Sequence, residues 1–245
     1  MKKVLLILIL IFIVLTNINA AKLKVGTNAE YAPFEFYTKE GIMTGFDIDL
    51  MNSIASEAGY DGVEWKDMTF DGLIQSLTTK KEIDVIAAGL VITEERKQKV
   101  LYTKSYVNEA LIIVVKKDKA DLKTLKDLEG KKIGAEIGTT SATLAKTVKK
   151  AKVIELSTAD VFTHLKEGKV DAIIQTESVA RYAITSGGLP LKVTSENLLA
   201  TKKTNQIALA VDKKNVDLQK KLDAAMVSIR KKGVFDKIYQ KWFGN

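Results

Sequence analysis

The sequence predicts an α/β fold built as two lobes of like construction. Short β-branched runs alternate with segments of helical period along the chain from residue 21 onward. One run, Ile83-Asp-Val-Ile-Ala-Ala-Gly-Leu90, is apolar almost throughout, as in a strand of a parallel sheet covered on both faces. The second half also repeats the scheme of the first, weakly. "KKIGAEIGTTS" echoes "LKVGTNAEYAP", and "DVFTHLKEGKVDAIIQT" echoes "FDGLIQSLTTKKEIDVIAA" with a spacing that differs by one residue.

Taken in order, "KLKVGT" (22–27) reads as a strand. "DIDLMNSIASEAGY" (47–60) reads as a helix with Ile48, Met51, Ile54, Ala55 and Ala58 at helical spacing. "VEW" is a short strand, and "FDGLIQSLTTKK" a helix with Leu73, Ile74 and Leu77 on one face. "NEALIIVVKKD" (108–118) and "NQIALAVDKK" (205–214) flank the second half as strand-like runs and are expected to cross between the lobes. The end, "LQKKLDAAMVSIRKKGVFDKIYQKWFG", reads as helical, with Leu218, Leu222, Met226 and Ile229 along one face, and returns the chain to the first lobe. Its aromatics, Phe235, Tyr239, Trp242 and Phe243, read as packing.

Composition narrows the function. A chain of 245 residues, 46% apolar, can bury the core of one large domain or of two lobes. The absence of cysteine rules out disulfides and thiol catalysis, and no lipid anchor is expected at the N-terminal signal junction. One histidine, His164 in "FTHLKEG", leaves little material for zinc or copper, so no metal or cofactor is expected. At the N-terminus, "MKK" precedes an apolar run from Val4 to Leu15, which falls short of the roughly 20 residues a span needs. "TNINAA" follows, so residues 1–20 are expected to be a secretory signal peptide cleaved after Ala20, leaving an exported soluble protein. Without Lys2 and Lys3 the formal net charge falls from +8 to +6. The remaining lysines are scattered and carry no interleaved aromatics, which argues against nucleic-acid binding.

In open parallel sheets, ligands bind beyond the carboxyl ends of the strands. That rule selects four turns: "TNAEYAPF", "AAGLVITEER", "EIGTTS" and "QTES". "EIGTTS" opens a helix with hydroxyl residues, either an anion site of orphan amides or an ordinary cap. Arg96 suits a planar carboxylate, the alternative being a surface pairing with Glu94 or Glu95. Tyr31 and Phe70 stand at strand ends, where they would sandwich a ligand or simply fill the core.

"VGTNAEYAPFEF", "GFDIDL", "FDGLIQSL", "IDVIAAGLVITEER", "LKDLEGKKIG", "GTTS", "VDAII" and "IYQKWFG" follow one another in an order that resembles the periplasmic polar-amino-acid-binding proteins of ABC importers, the extracellular solute-binding family 3. The resemblance runs from Lys22 to Asn245. It implies the type II periplasmic-binding-protein clamshell, in which each lobe is a mixed, mostly parallel sheet flanked by helices and two hinge strands join the lobes. Residues 21–106 plus 207–245 would form lobe 1, and 107–206 lobe 2. It also implies a monomeric, non-enzymatic periplasmic receptor that closes on a small amino acid and delivers it to an ABC transporter permease. Carried over by position, the carboxylate clamp falls on Arg96, the Ala88-Gly89 turn and the amides of Thr139 and Thr140. The aromatic sandwich falls on Tyr31 and Phe70, and the positions that sense the ligand's side chain fall on Asn28, Glu136 and Gln175.

Two positions depart from the family pattern. Val91 stands where a serine or threonine is usual, and Thr176 stands where an aspartate normally holds the α-ammonium. Burying an ammonium without a carboxylate costs several kcal/mol. Glu136 or Glu177 is therefore expected to supply the charge, with Glu30 a more distant third. The ligand expected first is a neutral polar or amide-bearing amino acid, then a modified or cationic one. The alternatives are a carboxylate lacking the ammonium, or a cyclohexadienyl-dehydratase-like enzyme. The latter needs a general acid, and Val179 offers none at the relevant helix position.

Overall fold

A computed structural model of the chain describes residues 21–199 and 205–244. The expected signal peptide lies outside the described residues. The fold is two-lobed α/β, as the alternation of strands and helices predicts.

The first sheet runs in the order Val63–Asp67, Leu23–Thr27, Val85–Ile86, Ala210–Asp212, Val100–Tyr102. Leu23–Thr27 is parallel to both its neighbours, whereas Ala210–Asp212 enters antiparallel from the far end of the sequence. Side chains alternate across this sheet. Val25, Val85, Ala87 and Val211 join the larger core cluster, while Ile86, Ala88 and Ala210 pack on the opposite face with Leu73 and Leu77. The second sheet has the order Lys152–Leu156, Lys132–Glu136, Ala172–Thr176, Leu111–Lys116, Leu191–Val193. Its first three strands are parallel and the other pairings antiparallel. Here Ala172 and Ile174 bury on one face and Ile173 on the other, the phase expected for this strand.

Between the sheets, Val107–Glu109 pairs antiparallel with Asn205–Ile207. These short strands are the inner parts of the two runs expected to cross between lobes, and each continues into a sheet: Leu111–Lys116 in the second, Ala210–Asp212 in the first.

One helical expectation changes, and another gains a break. "FDGLIQSLTTKK" is not one regular helix but a 3-10 turn (Phe70–Gly72), a short α-helical piece (Leu73–Gln75) and a wider π turn (Ser76–Lys80). The Thr78 hydroxyl donates to the Ile74 carbonyl at 2.7 Å, a local bond that competes with regular helix geometry. The C-terminal segment is two helices, Val216–Lys231 and Val234–Phe243, broken at Gly233. The break lets the last helix fold back onto the helix Phe46–Glu57. The Trp242 indole and the Lys241 ammonium both reach Asp49 at 2.7 Å, and Phe243 lies 4.9 Å from Phe46 between ring centroids. The aromatic residues of this tail thus pack, as the sequence suggested.

Candidate ligand-binding site

The carboxyl ends of the two sheets face each other across one small cavity. Tyr31, Phe70, Gly89, Val91 and Arg96 line it from the first lobe, and Glu136, Thr139, Thr140, Ser141 and Thr176 from the second.

Arg96 is placed by a single helical turn, Glu94–Lys97, whose N-cap Thr93 accepts the Arg96 amide at 3.1 Å. That turn sends its acids outward, where Glu94 pairs with Lys97 and Glu95 with Lys99. Arg96 itself is buried, and its guanidinium donates to the Val91 carbonyl at 2.7 Å and, across the lobes, to the Gly138 carbonyl at 2.9 Å. The Phe70 ring lies against it, 5.4 Å from the guanidinium carbon. Burial lowers its pKa from the ordinary value, yet a guanidinium stays charged at any physiological pH.

Gly89 ends the apolar strand with φ +54°, and a Cβ there would stand 2.9 Å from the Tyr31 ring. Both facts demand glycine. Gly89→Ala is expected to cost about 1–3 kcal/mol through left-handed backbone strain and to push the Tyr31 ring out of the cavity wall. A melting curve and a ligand titration check this; unchanged affinity would show that the Tyr31 wall does not matter.

Tyr31 spans the lobes by a hydrogen bond from its hydroxyl to that of Thr176, and lies 3.5 Å from Gln175 Oε1. Thr139 caps the helix Thr140–Ala145 by accepting the Ala142 amide at 3.2 Å, and its own hydroxyl donates to the Glu136 carbonyl at 2.7 Å. Thr140 Oγ1 accepts from the amide of Asn205 at 3.0 Å, which ties this turn to a strand between the lobes.

The sequence matches the family described as bacterial extracellular solute-binding proteins, family 3, over residues 23–126 and 123–245. This chain belongs to that family. The solute-binding protein is 32% identical to the probable amino-acid-binding protein YxeM of Bacillus subtilis (strain 168), over 90% of this chain and 83% of the relative. It is 31% identical to the ABC transporter arginine-binding protein 1 of Escherichia coli (strain K12), over 99% of each chain. Among solved structures, an ancestral arginine-binding protein bound to arginine superposes with a TM-score of 0.86 at 38% identity, over 92% of this chain and 100% of that one.

Four of the residues expected in the site stand back from the cavity of this solute-binding protein. Asn28 donates to the Met68 carbonyl at 3.0 Å, and Ala88 is buried in the core behind Gly89. Gln175 turns its Oε1 to the amide of Thr176 at 2.7 Å. Glu177 opens the helix Glu177–Thr185 and forms an ion pair with Arg181, one turn on, at 2.6 Å. Its side chain follows the outer face of that helix, whereas Glu136, the last residue of its strand, stays at the cavity. Ser141 lines the cavity without having been singled out; its only signal was its place as the third hydroxyl in "GTTS".

Glu136 is 4% exposed. Burial pushes its pKa up to about 7, outweighing the lowering by the nearby Thr158 hydroxyl and by the Arg96 charge, while Glu30 and Asp71 push the same way as burial. The solute-binding protein thus presents one fixed cation and one titratable acid to the same cavity from opposite lobes.

Proposed function

We propose that this protein captures an amino acid with a cationic side chain between its lobes and presents it to the permease of an ABC importer. In this reading it is an exported, periplasmic monomer without catalytic activity. The observation that carries the reading is the pair of buried opposite charges, Arg96 and Glu136, on one cavity. Arg96 would take the ligand's carboxylate in place of the Gly138 carbonyl, through two parallel hydrogen bonds. Glu136 would meet a cationic group, and the ligand's charge would in turn hold Glu136 ionised. Tyr31 and Phe70 supply the flanking rings. The names of the arginine-binding relatives support the same choice, and together they move the preference from a neutral to a cationic side chain. Thr176 offers no charge to an α-ammonium, so Glu136 is the acid left to serve it or the side chain. Closure would exclude water from both charges and join surfaces of both lobes for the permease.

A thermal-shift screen tests this, using protein freed of carried-over ligand by unfolding and refolding. Arginine, lysine, histidine, the neutral and acidic amino acids, and the deaminated analogues would be compared. A ligand at a hundredfold excess over its dissociation constant adds about 2.7 kcal/mol of stability. Arginine or lysine is expected to raise the midpoint and their deaminated analogues to raise it less. A shift with neutral amino acids alone removes the cationic preference, and one with deaminated analogues alone removes the amino-acid reading.

One observation favours a second reading: an acid held near neutrality in a cleft is a candidate general acid for a dehydratase acting on cyclohexadienyl acids. Incubation with such acids and analysis for aromatic product is expected to yield none, and appearance of an aromatic product would establish this second reading instead.

A further inference from the structure

Beneath the Gly89 turn lie two acids that the binding site does not use. Glu35, in the strand Glu35–Tyr37, and Asp47, in the first turn of the helix Phe46–Glu57, are both fully buried. Both carboxyls stand against Gly89, and each acts on the other's protonation. Asp47 is richly supplied with donors. The Gly89 amide reaches its Oδ2 at 2.8 Å, and the Tyr106 hydroxyl reaches Oδ1 at 2.8 Å and Oδ2 at 2.7 Å. It also sits at the positive end of a helix of twelve residues. Glu35 is the opposite case: counted as a carboxylate, neither of its oxygens has a donor. Yet Glu35 Oε1 lies 3.9 Å from where a Cβ on Gly89 would be.

Two adjacent buried carboxyls cannot both be ionised without a cation to offset them. The ionisable groups acting on Glu35 are the acids Asp47, Glu136 and Asp67, and the phenols Tyr31 and Tyr106 feel its charge in return. Burial raises Glu35 well above the usual carboxylate range and brings Asp47 to about 6. The donor count assigns the charge to Asp47 and the proton to Glu35.

We propose that Glu35 and Asp47 form a proton-sharing positioning pair. In it, protonated Glu35 donates to ionised Asp47, which holds the ligand-site turn at Gly89 and the start of the interlobe strand at Tyr106 in one arrangement. Neither acid touches the ligand. Tyr106 directly precedes Val107–Glu109, so the pair joins the floor of the site to one of the two chain crossings. Loss of the shared proton puts a second charge beside Asp47 and perturbs its hydrogen bond from Gly89.

The test needs no ligand in its first arm. Carbon-detected carboxyl NMR of the isotope-labelled protein is expected to show one glutamate that titrates well above the ordinary carboxylate range and is missing in Glu35→Gln. The Gly89 amide proton is expected to shift with the same midpoint, and to stop doing so in Glu35→Gln. If Glu35 titrates in the ordinary carboxylate range, or if the Gly89 amide ignores its titration, the proposal is overturned. The second arm uses arginine as the probe and rests on the reading of the ligand given above. Glu35→Leu removes the donor and is expected to weaken arginine binding about tenfold, while Glu35→Gln, whose amide still donates to Asp47, recovers most of it. Equal losses in both variants, in proteins that melt alike, would reduce the pair to ordinary packing. If the wild-type protein does not bind arginine at all, the ligand reading fails while the NMR arm still decides the pair.

Discussion

Arg96→Ala is expected to weaken amino-acid binding by about a hundred- to a thousandfold, the cost of leaving a buried carboxylate without its charged partner. The loss comes from the ligand side rather than from unfolding. The guanidinium donates to the Val91 and Gly138 carbonyls, and the first of these also accepts the Tyr102 hydroxyl at 3.1 Å. Removing Arg96 therefore leaves one carbonyl, at the cavity edge, without its side-chain donor. Stability without ligand is expected to change by about 1 kcal/mol or less, the range of a typical net hydrogen bond. Calorimetric titration with arginine and a melting curve of the ligand-free variant separate the two effects. A loss of less than tenfold, with the fold intact, would mean that Arg96 does not hold the carboxylate.

Glu136→Gln is expected to have the second largest effect, and one with a pH signature. Bringing a carboxyl from its ordinary value to about 7 means that burial disfavours its charge by about 3 kcal/mol, which a bound cation must offset. Arginine affinity in the wild-type protein should thus rise as pH increases through about 7 and level off above it, because the ionised form is the binding form. Ligand-free stability should run the other way. Between the ordinary carboxylate value and about 7 the folded state holds a proton that the unfolded state has lost, so stability falls as pH rises across that window. Glu136→Gln should remove both slopes and weaken arginine about a hundredfold. If the variant binds arginine as before and keeps the pH slope, the charge resides elsewhere and the cationic-ligand reading loses its support.

The alternating strand and helix periods predicted the two lobes, and the runs between the halves predicted the chain crossings. Their physical basis is local: burial on both faces of Ile83–Leu90 demands apolar residues whatever the rest of the chain does. The strand-end rule also carried Arg96 and Glu136 to the neighbourhood of the cavity. It could not separate Glu136 from Glu177, since both stand at strand ends. One remains on the strand with its side chain at the cavity, while the other begins a helix whose phase turns it towards Arg181. The C-terminal segment is helical as read, but its break at Gly233 was not legible, because the apolar stripe continues on both sides and hides it.

By itself, the sequence determined the element types, the two-lobed α/β class and the set of turns among which a site would form, because periodicity and strand ends are properties of neighbouring residues. Only the tertiary structure decided which side chains meet. Arg96 and Gly138 belong to different lobes, and Glu35 reaches Asp47 and lies beneath Gly89 through the packing of a strand, a helix and a turn. The energy of a buried charge depends on what stands within a few ångströms of it, and the pattern of apolar and polar residues along a chain does not record that distance.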